Sequence, residues 1–214
     1  MRVRLALLML IALGSGATAK ERGPAGDYRL VGEQDVASGI RLNRDGRFQY
    51  YLSAGALDEQ AQGRWSAAGG RVVLVTEPKP VPPQFRRERS GKAASAALTV
   101  GVSSPDGRGI PGVDLRVGFD EGEPIDAYTQ EDGWSLPAEE RRIPRWIELA
   151  VPMHGLASPR FPIDLAAGKA LAFTLIPNDL GVLDFEGVAV TVEKKALIVE
   201  RGGGRLRYER VGGK

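Results

Sequence analysis

The 214 residues include 28 glycines, 14 prolines and no cysteine, with 29 lysines and arginines against 27 aspartates and glutamates. Few stretches run far without a glycine or proline, which argues against continuous helices and for an all-β class. The missing cysteines exclude disulfides and thiolate metal centres, so core packing alone must hold the fold.

Met1-Arg-Val-Arg4 places two positive charges at the start, Leu5 to Leu13 is apolar, and Ala17-Thr18-Ala19 supplies small residues. That order predicts a secretory signal cleaved after Ala19 and a periplasmic or secreted protein. The apolar run is far shorter than the roughly 20 residues that cross a bilayer, and no membrane insertion is expected. Without Arg2 and Arg4 the chain balances 27 basic against 27 acidic residues, which removes the main support for a nucleic-acid partner. The exported product is expected to begin at Lys20; an intact mass that retains Met1 would overturn the localisation.

From Gly26 to Thr76 short alternating runs succeed one another: Tyr28 to Leu30, Ile40 to Leu42, Phe48 to Tyr50, Arg64-Trp65 and Val72 to Val75. Asn43-Arg-Asp45-Gly46 predicts a hairpin between the second and third, and Ala68-Gly69-Gly70 another before Val72. Four prolines from Pro78 to Pro83 then predict a semi-rigid connector, continued by a basic run through Arg86, Arg87, Arg89 and Lys92 that reads as solvated linker.

Alternation resumes with Leu98-x-Val100-x-Val102, Gly107, Ile110-Pro-Gly112-Val113-x-Leu115-x-Val117, Thr129 and Asp132-Gly133-Trp134-x-Leu136. This string resembles the carboxypeptidase regulatory-like, transthyretin-like β-sandwich family, with extension through Trp146 to Leu149 and Leu171 to Leu175. The resemblance implies an accessory, adhesive or carbohydrate-related module without catalytic residues. Beyond Pro177, Phe185, Val188 to Val192, Ala196 to Val199 and Leu206 to Tyr208 alternate around turns at Glu193-Lys194-Lys195 and Gly202-Gly203-Gly204.

The Gly26-Asp-Tyr28 opening, Asp45-Gly46-Arg-Phe48 hairpin and Gly63-Arg-Trp65 step resemble small lipocalin-like or avidin-like envelope barrels. Five strands do not easily close such a barrel, whereas about eight do, and the C-terminal hairpins supply the rest. The expected architecture is an antiparallel barrel from residues 26–76 plus 178–212, a linker at 77–92 and an inserted β-sandwich at 93–177. The alternative is two domains in sequence, the last hairpins belonging to the sandwich.

Catalytic material is sparse. His154 is the single histidine, in a turn-like Pro152-Met-His-Gly155, and without a second nitrogen or thiolate ligand it makes a poor zinc or copper site. Asp120-Glu121-Gly-Glu123 with Asp126, and Asp58-Glu59, lack the periodicity of a calcium loop and read as solvated turns. No Gly-x-Ser-x-Gly occurs, and Gly202-Gly203-Gly204 has no Lys-Ser or Lys-Thr after it. No enzymatic activity, metal or cofactor is expected.

Trp65 and Trp134, beside apolar partners, read as core, whereas Arg145 and Glu148 around Trp146 suggest a strand edge. Tyr50 and Tyr51 must face opposite sides of their strand. Tyr50, Tyr51 and Trp146 are therefore the candidate ligand or glycan contacts. The expected function is an envelope binding module for a protein or glycan. The alternative is a carrier of a small apolar ligand, held in the lumen near Phe48, Tyr50 or Tyr51 and Trp65, which requires an empty lumen of a few hundred cubic ångströms.

Overall fold

The computed structural model describes residues 23–89, 91 and 97–212. The expected signal peptide at 1–19, the start at Lys20 and the expected sandwich boundary at residue 93 lie outside these residues. In chain order the strands are β1 (Gly26–Val31), β2 (Val36–Leu42), β3 (Arg47–Ala54), β4 (Leu57–Ala68), β5 (Arg71–Thr76), β6 (Gln84–Arg87), β7 (Thr99–Ser103), β8 (Asp114–Phe119) and β9 (Ile125–Tyr128). They continue with β10 (Trp134–Ser135), β11 (Pro144–Val151), β12 (Leu156–Ala157), β13 (Phe161–Pro162), β14 (Ala170–Ile176), β15 (Glu186–Glu193), β16 (Ala196–Arg201) and β17 (Gly204–Arg210).

Eight of these strands close a barrel in the order β1-β17-β16-β15-β5-β4-β3-β2. Every barrel pair is antiparallel, and in the barrel β5 pairs directly with β15, from Val75 opposite Glu186 to Arg71 opposite Thr191. Without the intervening segment this is a plain up-and-down meander, and the segment occupies the place of one hairpin loop. Its two ends are tied together. Asp179 N donates to Val81 O (3.1 Å), Val81 N donates to Asp179 Oδ2 (2.7 Å) and Asn178 Nδ2 donates to Pro82 O (2.8 Å).

Alternation decides which side chains enter the lumen. In β3, Phe48, Tyr50 and Leu52 are buried while Arg47, Gln49 and Tyr51 face out. The Asn43–Gly46 turn sets this register: Asn43 N donates to Arg47 O (2.8 Å), and Gly46 takes φ +83, open to glycine without the Cβ penalty. Ile40, Leu42, Val72, Leu74, Val190, Leu197 and Tyr208 complete the same core. An eight-stranded barrel is just wide enough for such side chains to fill it.

The inserted segment forms two sheets, β10-β7-β14-β6 and β12-β11-β8-β9, with β13 also on β11. Val100, Val102, Phe173 and Leu175 from one face Leu115, Val117, Ile147 and Leu149 from the other in a second core. Two sequence readings are corrected here. The basic run was expected to be linker, but Gln84–Arg87 is β6, paired with β14, because Phe85 is 8% exposed in the second core while Arg86 faces water. Trp146 was expected at a strand edge, yet β11 is interior, flanked by β8 on one side and β12 and β13 on the other.

Candidate functional site

The register of four neighbouring barrel strands builds a groove of about 570 Å3 on the outer wall. One cross-strand row runs Arg29, Gly39, Tyr51, Gln60 and ends at Val182, which bridges Gln60 from the returning chain. The next row runs Asp27, Arg41, Gln49, Gln62. Gly39 leaves a hole in the first row, and the Tyr51 ring leans into it: a Cβ on Gly39 would stand 2.6 Å from Tyr51 Cε1. Tyr51 thus packs over Gly39 while remaining 46% exposed. The surrounding side chains are the three glutamine amides, Arg29 and one ion pair, Arg41 Nε donating to Asp27 Oδ1 at 2.5 Å.

Tyr50, the second candidate, is corrected. Its side chain enters the lumen and is 5% exposed, its ring stands edge-on to Phe185 at 5.2 Å, and Arg201 Nη1 donates to its hydroxyl at 3.1 Å. It is out of reach of a ligand on the outer wall. Burial pushes the Tyr50 and Tyr208 phenols above their ordinary range, so both stay protonated.

Trp146, the third candidate, faces outward from the sandwich but presents no free ring face. Its indole lies on Gly118, where a Cβ would meet Cε2 at 2.0 Å. Its other side is covered by the Arg160 guanidinium, 4.1 Å from the ring centroid, and Glu148 accepts from Arg160 Nε at 2.8 Å. A cation held over indole by a carboxylate is a stable stack that a sugar would have to displace.

The lumen itself carries one polar cluster. Glu59 is 8% exposed and accepts from Arg201 through both oxygens, at 2.5 and 2.6 Å. Hydrogen bonding to Glu59 raises the Arg201 guanidinium above its ordinary value, so it stays charged. Ser38 Oγ donates to Tyr51 O (2.6 Å), which leaves it to accept from the Tyr208 hydroxyl (2.9 Å). The cluster is internally satisfied, and among the described residues no buried side-chain nitrogen or oxygen lacks a partner. Glu59 was read from sequence as part of a solvated acidic pair; its inward position in β4 makes it the lumen's buried carboxylate instead.

His154 ends a short 3-10 turn, Pro152–His154, and no group of three histidine, cysteine or acidic side chains converges among the described residues. A second depression of about 610 Å3 lies on the outer face of β8, β9, β11 and β12 beside Tyr128. Its charges are largely compensated internally, by Arg116 with Asp126 at 3.7 Å and by Arg160 with Glu148.

Sequence reasoning found Tyr51 but missed Gly39, Arg29 and the glutamines. The signal was present in part: the Asn43–Gly46 hairpin sets Leu42 opposite Phe48, and stepping along both strands puts Gly39 opposite Tyr51. Compared with known proteins, the chain matches no family model, no curated protein and no solved structure.

Proposed function

We propose that this chain is an exported, non-enzymatic binding module of the cell envelope that holds a glycan on the outer wall of its barrel. The observation that carries this reading is the Tyr51 ring, seated in the gap at Gly39 and 46% exposed, in a groove bordered by Gln49, Gln60 and Gln62. An aromatic face with a fixed orientation stacks on the C–H face of a sugar ring, and flanking amides donate to and accept from its hydroxyls. Polar outward and apolar inward positions reverse the alternation of a membrane-spanning barrel, which supports a module that works in water. The filled lumen, with Phe185 5.8 Å from Phe48 and 5.2 Å from Tyr50, favours a platform over a carrier.

Calorimetric titration of the purified protein with a panel of oligosaccharides tests this. Tyr51→Ala is expected to weaken binding by about 10-fold or more, the usual loss at an aromatic hot spot. Gly39→Val, which drives the ring off its seat, should do the same without touching the ligand. Trp146→Ala should leave affinity unchanged. Binding that survives Tyr51→Ala but fails in Trp146→Ala would move the site to the sandwich.

A further inference from the structure

Resting on the glycan reading above, we infer that the groove selects sugars bearing a negatively charged substituent, and that Arg29 is the residue that meets it. The charged lining of the groove is two arginines against one aspartate, Arg29 and Arg41 against Asp27. Asp27 is consumed by Arg41, in contact at 2.5 Å. The net positive charge therefore belongs to Arg29.

Among the described residues no carboxylate is in ion-pair contact with Arg29. Glu209 stands opposite Arg29 across the β1–β17 pair, but Arg207 Nε holds the Glu209 carboxylate at 3.2 Å. Arg29 is exposed and makes no ion pair or side-chain hydrogen bond among the described residues. A solvated arginine on a strand is ordinary in itself. Its position is what matters here, since it directly follows the vacant Gly39 place in the row that leads to Tyr51.

Neighbouring strands are about 4.8 Å apart, so the Arg29 and Tyr51 backbones lie roughly 10 Å from one another. The Tyr51 ring leans across Gly39 into that interval. A pyranose stacked on the exposed part of the ring spans about half of this distance, which brings an exocyclic carboxylate or sulfate within reach of the flexible arginine stem. The planar guanidinium fork then grips such a group through two parallel N–H donors, a geometry that a neutral hydroxymethyl cannot satisfy.

The experiment is calorimetry with matched sets of oligosaccharides: uronate-containing, carboxyl-reduced to neutral, and the neutral form carrying a sulfate ester. A charged member is expected to bind about 10-fold tighter than its neutral partner, the scale of one charge-assisted contact. That margin should shrink as salt rises and vanish in Arg29→Gln, with thermal unfolding unchanged. A margin for uronate alone assigns a carboxylate, and a margin for both probes assigns an anionic group in general. Equal binding of charged and neutral sugars, or a margin that persists in Arg29→Gln, would overturn the inference while leaving the Tyr51-dependent glycan reading intact. Failure of every sugar to bind the unmodified protein would overturn both.

Discussion

Replacing Phe185 by alanine is expected to cost about 3–5 kcal/mol of folding stability, the range for deleting a buried aromatic ring. Phe185 is 9% exposed and belongs to the segment that returns from the sandwich, one residue before β15 begins. Its ring fills the lumen between Phe48 and Tyr50. Its backbone is held separately: Phe185 N donates to Thr76 Oγ1 (2.9 Å), Thr76 Oγ1 donates to Leu183 O (2.9 Å), and Thr76 N donates to Phe185 O (3.1 Å). The substitution therefore removes the ring without releasing the clasp, and the denaturant midpoint should fall with the slope unchanged.

The void left behind would be lined mainly by apolar groups, and such cavities stay dry and accept small apolar molecules. Phe185→Ala should therefore gain binding of a benzene-sized ligand, visible as a ligand-dependent rise in its melting temperature, where the unmodified protein shows none. A loss below about 1 kcal/mol, or the same ligand stabilising the unmodified protein, would mean that the ring does not fill the lumen. The carrier reading would then replace the platform.

What the sequence made legible follows the reach of local rules. Period-two alternation and turn chemistry are local, so the strand pattern, the Asn43–Gly46 hairpin and the opposed faces of Tyr50 and Tyr51 could all be read directly. Pairings that depend on distant chain could not. Nothing local says that Gln84–Arg87 finds β14, because a strand with one buried residue, Phe85, carries too little alternation to stand out from a basic linker. Glu59 and Arg201 are far apart in the chain and each reads alone as a surface charge; only barrel closure brings them together in the lumen. Phe185 could be read as the head of the returning apolar pattern, but its place between Phe48 and Tyr50 could not, since that depends on the returning segment running beside Gln60 of β4, with Leu183 N donating to Gln60 O at 2.8 Å. The Trp146 stack required knowing that Gly118 pairs with it across β8 and β11, and that Arg160 comes back over the ring.

Removal of residues 77–177, with Thr76 joined to Asn178 through a short glycine linker, is expected to leave a cooperatively folding barrel, whereas a chain ending at Thr76 should not fold. The reason is the pairing of β5 with β15: the sandwich takes the place of a hairpin loop, and its two stems already lie in hydrogen-bond contact at Val81 and Asp179. A short linker can span that gap, and retaining 178–185 keeps Phe185 in the lumen. Ending at Thr76 strips β15, β16 and β17, which leaves β1 and β5 with unpaired edges and removes Val190, Leu197, Val199 and Tyr208 from the core. Joining Thr76 to Glu186 through an Asn-Gly turn should fall between these two, because it closes the sheet but loses the Phe185 ring. The sandwich offers the reciprocal test. A fragment of residues 84–177 should fold, while one of residues 93–177 should be unstable, because it loses Phe85 from the second core and bares the edge of β14 that β6 covers. Circular dichroism melts and limited proteolysis of the five proteins distinguish these outcomes. A stable, protease-resistant chain ending at Thr76 would show that the first five strands form a unit without the last three, and the barrel would then not be the cooperative element.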